Sequence, residues 1–148
     1  MMNAEAEAEV RQFSIRPFAE GDGDDIVALW RRCGLTVPDS DPYRDIDFAR
    51  GRENSDVLVG LTAGKIVASI MVGHDGHRGW LYYVAVDPSH QRKDWGRAIV
   101  EAGEAWLGVR GVPKAQLMIR ETNTQVRAFY EALGWEAIPR TVMQKWLK

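Results

Sequence analysis

The chain has 148 residues, 45% of them hydrophobic, which is enough for one domain with one sizeable core and too few for two. Its formal charge of -2, with acidic and basic residues nearly balanced, leaves no broad basic field for a nucleic-acid backbone, so nucleic acid is not an expected partner. One cysteine, Cys33, excludes an internal disulfide framework and a cysteine-based structural zinc site and fits a reducing compartment.

No apolar run is long enough to span a bilayer, and the acidic start "MMNAEAEAEVRQ" is unlike a signal peptide. The expectation is a cytoplasmic protein with no membrane partner. Residues 1–12 offer almost nothing to bury and read as a flexible extension; 13–148 read as a single domain.

Along that domain the hydrophobic period switches several times. "FSIRPF" alternates as a strand, and "DDIVALWRRCG" sets Ile26, Leu29, Trp30 and Cys33 at helical spacing behind Asp24 and Asp25. A proline- and aspartate-rich loop leads into a short helical piece, "RDIDFARGR". Two strands follow, "DVLVGLTA" and "IVASIMVG", joined at Gly64-Lys65, and then a third, "WLYYVAV", entered through an Asp75-Gly76 hairpin. A helix whose face is Trp95, Ala98, Ile99, Ala102 and Trp106 comes next, then a strand "AQLMI". Val126, Phe129, Tyr130 and Leu133 make a second helical stripe, and "TVMQKWL" a final strand, with one more short strand possible near Ala137. The order β-α-α-β-β-β-α-β-α-β predicts an α/β (α+β) fold.

The stretch "VDPSHQRKDWGRAIV" carries the most specific signal. It runs from a strand into a helix, which brings backbone N–H groups and the positive end of a helix dipole to one point and so suits an anion. Gly96 lets a ligand approach the backbone, and Arg92, Lys93 and Arg97 add positive charge. The alternative is an ordinary helix start with Asp94 or Ser89 as its cap.

This loop resembles the acetyl-CoA loop of the GCN5-related N-acetyltransferases, the GNAT family, whose usual form is Q/R-x-x-G-x-G/A. Gln91, Gly96, Arg97 and Ala98 match it, while Asp94 stands where the first glycine belongs. "NTQVRAFYEALGW" resembles the family's later motif N-x-x-A-x-x-x-Y-x-x-x-G-F/W, with Asn123, Tyr130, Gly134 and Trp135 in place and Val126 substituting for alanine. "GHDGHRG" is similar to a stretch in a small bacterial subgroup of the family.

The resemblance implies a mostly antiparallel mixed sheet flanked by helices and splayed between the fourth and fifth strands. It implies that Val84, Ala85 and Val86 offer the open strand edge on which a pantetheine arm pairs. Gln91, Arg92, Lys93, Asp94, Trp95, Gly96, Arg97 and Ala98 would then cradle the phosphates. Asn123 would contact the cofactor, or cap the last helix with Thr122. Tyr130, a phenol that keeps its proton at neutral pH, would serve as the acid for a leaving thiolate, or would be a packed aromatic.

The base is less defined, because the positions where relatives carry glutamate hold Trp80 and Met118 here. Tyr82, Tyr83, Glu121, His74, His77 or a water chain remain as candidates. His74 and His77 flank a turn without a third ligand, so no metal is expected. Cys33 reads as a core thiol. Asp39, Asp41, Asp45 and Asp47 would form an acidic wall favouring a cationic amine, or serve as turn and cap residues.

Two functions follow. The first is an acetyl-CoA-dependent N-acetyltransferase moving the acetyl group from the thioester to a primary amine, on a small molecule or a protein, by direct attack in a ternary complex. The alternative is a catalytically weakened GNAT-fold module that binds acyl-CoA or a partner, since Asp94 near a pyrophosphate costs about 1 to 4 kcal/mol at 4 Å depending on screening. An exposed final strand could also pair two subunits into a homodimer.

Overall fold

The structure, a computed structural model, describes Ala4, residues 12–91 and residues 94–148. The extension expected over 1–12 therefore lies outside it except for Ala4 and Gln12, as do Arg92 and Lys93. The elements are β1 (Ser14–Pro17), α1 (Gly23–Arg32), α2 (Pro42–Ala49), β2 (Ser55–Thr62), β3 (Lys65–His74), β4 (Gly79–Val86), a 3-10 turn (Pro88–His90), α3 (Trp95–Val109), β5 (Ala115–Gln116) and α4 (Thr124–Ala132). One sheet runs β1-β2-β3-β4-β5, antiparallel except for the parallel β4–β5 junction. Between Leu117 and Met118 the chain divides into two compact units, the second holding α4.

Local chemistry accounts for most boundaries. Asp24 and Asp25 lie in the first turn of α1 and Arg31 and Arg32 in the last, each opposing the end of the helix dipole that suits it. Asp41 caps α2 by accepting the N–H groups of Tyr43 and Arg44, with Pro42 at the first helical position. Ala63 and Gly64 both take positive φ, 50° and 74°, in the two-residue turn between paired Thr62 and Lys65, one residue earlier than the junction read from the sequence. Asp75 closes the β3–β4 hairpin by accepting from His77 and Arg78 N–H at 2.9 and 2.8 Å, which holds its carboxyl below the ordinary range.

The first unit buries both faces of its sheet. On one, Ile26, Leu29 and Trp30 of α1 and Ile46 of α2 pack over Val57, Val59 and Ala85. On the other lies α3, whose buried face is Trp95, Ile99, Val100, Gly103 and Leu107. Ala98, Ala102 and Trp106, expected on that face, sit at its margin. The reason is Gly103, which no hydrophobic stripe counts: a Cβ there would meet Ile70 Cδ1 at 2.6 Å, so only glycine lets the helix settle this closely on β3.

The final strand predicted over "TVMQKWL", and the shorter one near Ala137, do not form: residues 135–148 contain no strand. A strand exists through ladder bonds to a neighbour, and here side chains of both parities, Val142, Met143, Trp146 and Leu147, are exposed, so alternation buys no buried face. The strand "AQLMI" likewise shortens to Ala115–Gln116.

Entry into α1 is fixed by a two-pronged ion pair, Arg16 Nη1 to Asp22 Oδ2 at 2.7 Å and Nη2 to Oδ1 at 3.1 Å. That bond, above all, holds the Asp22 carboxyl below its ordinary 3.8. A depressed carboxyl contributes stability that is full above its unfolded value and lost as the pH falls through its folded one. Asp22→Asn is expected to lower the unfolding free energy by about 1 kcal/mol at neutral pH, discounted because Arg16 is partly exposed. Urea titrations should show that deficit shrinking below about pH 4.

Candidate active site

The site is organised by β4. Of its eight residues only Gly79 and Trp80 pair with β5, opposite Ala115 and Gln116, so the sheet splays at the fourth and fifth strands. Ser69 pairs with Ala85, and Asp87 N–H bonds to Val67 O at 2.8 Å, which directs those peptide groups toward β3. By strand alternation the peptide groups of Val84 and Val86 point to the other, open edge. The Cys33 thiol donates to the Val86 carbonyl there at 3.3 Å. Burial pushes that thiol's pKa up, in keeping with a core thiol and against a nucleophile.

The register slips by one residue in this strand, because Met71 opposes Tyr82 while Ser69 opposes Ala85. Tyr83 and Val84 thus face Ile70 alone, a bulge, and Tyr83 has φ 50°. Three contacts hold it. Its ring stacks on Trp30 at 3.7 Å, its carbonyl accepts the Ser69 hydroxyl at 2.9 Å, and Ser69 in turn accepts the Trp30 indole N–H at 2.8 Å. Its phenol donates to Asp45 Oδ2 at 2.7 Å. Burial first, and the Asp45 carboxylate second, push the phenol up to about 12.

Because the bulge breaks alternation, two successive tyrosines, Tyr82 and Tyr83, line one cavity of about 470 Å3, with Leu35, Phe48, Met71 and Asp45. Of the four aspartates expected to form an acidic wall, Asp45 lines this cavity, whereas Asp41 is committed to the α2 cap. Burial raises the Tyr82 pKa, with the Asp75 charge adding to it.

The strand-to-helix junction is built from short-range bonds. Asp87 accepts from Ser89 N–H and its hydroxyl at 2.9 and 2.7 Å, and from Arg32 at 2.8 Å. Trp95, the first residue of α3, is buried between the rings of Phe13 at 4.7 Å and His90 at 5.1 Å, which anchors the helix start. Asp94 precedes it with φ 60° and makes no side-chain cap bond, so the sequence alternative of an Asp94 cap does not hold. No acidic residue lies in the first turn of α3. Gln91 is exposed, Gly96 and Ala98 are half-buried, and Arg97 pairs with Glu101 at 2.9 Å.

In the second unit Asn123 Oδ1 accepts from Val126 N–H at 3.2 Å and caps α4. Tyr130 is buried against the edges of Phe129 and Trp135, and burial pushes its phenol up to about 12. Glu121 is exposed, and Met118 stands half exposed. Back in the first unit, His74 accepts from Gly76 N–H and His77 donates its own N–H to Asp75, so both serve the hairpin. Among the described residues no group of three or more His, Cys, Asp or Glu is placed to hold a metal, and no helix is long and apolar enough to cross a membrane.

Sequence reasoning missed Ser69, Trp30 and Ser40, whose hydroxyl donates to Asp45 Oδ2 at 2.9 Å, as parts of the site. Trp30 carries only a core signal, and a lone serine in a strand carries none.

Ser69 is fully buried and serves both neighbours, so Ser69→Ala strands the Trp30 indole and the Tyr83 carbonyl. At about 1 to 3 kcal/mol for each of the two buried groups left unpaired, the variant is expected to lose roughly 2 to 6 kcal/mol, measured by denaturant unfolding.

Comparison with known proteins bears on this geometry. The family described as "Acetyltransferase (GNAT) family" matches residues 23–135. An acetyltransferase of Sodalis glossinidius is 39% identical over 122 residues, covering 82% of this chain and 86% of that protein. One of Pectobacterium atrosepticum is 39% identical over 124 residues, covering 84% and 88%. Among solved structures, the aminoglycoside N-acetyltransferase AAC(6')-Iy in complex with CoA superposes with a TM-score of 0.79 at 14% identity, over 92% of this chain and 95% of that one. The ribosomal-protein-S18-alanine N-acetyltransferase of Escherichia coli gives 0.70 at 25% identity, over 82% and 76%.

Proposed function

Since the chain belongs to the GNAT family of acetyltransferases, we propose that it moves the acetyl group of acetyl-CoA to a primary amine by direct attack within a ternary complex. The observation that carries this reading is the open edge of β4, whose strand runs through a short turn to the start of α3. The CoA-bound acetyltransferase of the same fold supports acetyl-CoA as the donor. Acetyl-CoA would supply an activated thioester. The peptide groups of Val84 and Val86 would pair with its extended arm as an added strand does, and a backbone N–H of this edge would face the thioester oxygen. The first-turn N–H groups of α3, with Gln91, Gly96, Ala98 and the basic Arg92, Lys93 and Arg97, would take its phosphates.

Tyr130 is the residue we assign as the acid, on the strength of the motif that holds it. Its burial-raised phenol keeps its proton throughout the working pH range. Full transfer to a thiolate of ordinary pKa near 8.5 would nevertheless be uphill by roughly 5 kcal/mol. Tyr130 therefore acts by donating a hydrogen bond to the sulfur as its charge develops, and the proton lost by the attacking nitrogen is the one the thiol finally carries. Tyr130→Phe is expected to slow thiol release at least tenfold while leaving acetyl-CoA affinity unchanged, and the wild-type rate should show no fall from Tyr130 ionisation up to about pH 10. Equal turnover of the two proteins would remove Tyr130 from the reaction.

A second reading, a weakened acyl-CoA-binding module, is favoured by one observation: Asp94 keeps the left-handed backbone but adds a carboxylate, and Arg97 is committed to Glu101. Calorimetric titration with acetyl-CoA separates the two. Wild type is expected to bind, and Asp94→Gly to bind roughly tenfold more tightly, about 1.4 kcal/mol. Absence of binding by wild type at millimolar acetyl-CoA, with tight binding by the glycine variant, would favour the module.

A further inference from the structure

The cavity beside the bulge has one charged residue among those lining it, and that residue is held for binding. Ser40 Oγ and Tyr83 Oη both donate to Asp45 Oδ2, at 2.9 and 2.7 Å, which fixes the carboxylate in one orientation. Among the described residues Oδ1 takes no hydrogen bond, and no arginine or lysine pairs with Asp45. Two neutral hydroxyls orient a carboxylate without cancelling its charge, so the missing complement is a cation. Asp22 and Asp87 differ on this point, since each has an arginine.

The other residues lining the cavity are apolar or aromatic. Leu35 and Met71 supply aliphatic surface, and the rings of Tyr82 and Phe48 are open to solvent, Phe48 with 83% of its surface exposed. A fully polar cation such as a short polyamine would leave these rings uncovered. An ammonium on an apolar body would cover them and add the attraction of the tyrosine faces for positive charge. The cavity also abuts the reacting strand, since Tyr83, which holds Asp45, directly precedes Val84 in the chain.

We infer that Asp45 reads the positive charge of the acceptor, and that the acceptors of this protein are primary amines presented as ammonium ions on an apolar, aromatic-sized body. This rests on the acetyl-transfer reading above for the word acceptor, but not for the binding of the cation. Asp45 is thus a specificity-determining residue: it recruits the form of the amine abundant at neutral pH, and loss of the proton before attack is a separate step.

Two ligands of nearly equal size test it, 2-phenylethylamine, which is cationic at neutral pH, and 4-ethylaniline, which is neutral. Dissociation constants would be measured by NMR titration of wild type, Asp45→Asn and Phe48→Ala, followed by thiol-release assays with acetyl-CoA and the same amines. Asp45→Asn keeps the shape and the hydroxyl contacts while removing the charge, so 2-phenylethylamine should bind at least tenfold more weakly and 4-ethylaniline equally well. Phe48→Ala, at an exposed position that folding does not need, should weaken both about threefold. Failure of 2-phenylethylamine to bind wild type, or an equal effect of Asp45→Asn on the two ligands, would overturn the inference. If the cation binds and is lost in Asp45→Asn while no amine yields free thiol, the cation site stands and the acetyl-transfer reading falls.

Discussion

A tyrosine at φ 50° in the middle of a strand is the constraint on which the rest of this site depends. The left-handed region costs an aromatic residue roughly 1 to 2 kcal/mol, and Tyr83 remains there because the surroundings over-determine it. The ring is stacked on Trp30, the carbonyl is bound by Ser69, and the hydroxyl is bound to Asp45. Each anchor comes from a different element: α1, β3 and α2. The bulge is therefore where the sheet and the two helices on one of its faces are locked together.

Three features of the site follow from that single residue. Slipping the register between β3 and β4 lets Tyr82 and Tyr83 line the same cavity, which an unbroken strand would forbid. It lies in β4 between the paired start at Gly79 and Trp80 and the last residues Val84 to Val86, so the tyrosines that line the cavity immediately precede the proposed ligand edge in the chain. And it fixes the carboxylate of Asp45 through the phenol, linking the wall of the cavity to the strand that would carry the chemistry. Stability and the placement of function are here set by the same bonds.

How much of this the sequence disclosed depended on whether a rule of short range governed it. The strands of the meander, the Asp75-Gly76 hairpin and the acidic start of α1 follow from period and turn chemistry, and each formed where expected. The face of α3 was misjudged because Gly103, the residue of closest approach, has no hydrophobicity to count. The last strand was misjudged for the opposite reason: "TVMQKWL" contains residues that favour strands, but propensity is a property of one segment and pairing is a property of two. The strand-to-helix junction after β4 was legible because its signals lie in consecutive residues. The bulge was not, since Tyr83 reads like any aromatic in a strand, and neither was Asp45, which nothing local separates from Asp39, Asp41 and Asp47. Only the meeting of α2 with β4 distinguishes it.

Asp94 shows how a motif can fail in letter and hold in form. Its φ of 60° is the left-handed backbone that glycine meets at least cost, and aspartate tolerates that region better than most residues do. In that conformation its side chain makes no cap bond, so the Asp94 carboxylate does not itself occupy the first-turn N–H groups of α3. The substitution therefore preserves the shape of the junction, which Trp95 fixes independently through its stack with Phe13 and His90, and changes only its electrostatics. A carboxylate at this exposed position is screened by water and salt, which puts its cost toward the lower end of the range set by dielectric rather than the upper. The left-handed backbone and the screened charge together leave this junction with the shape that the proposed anion site needs and with a reduced pull on an anion.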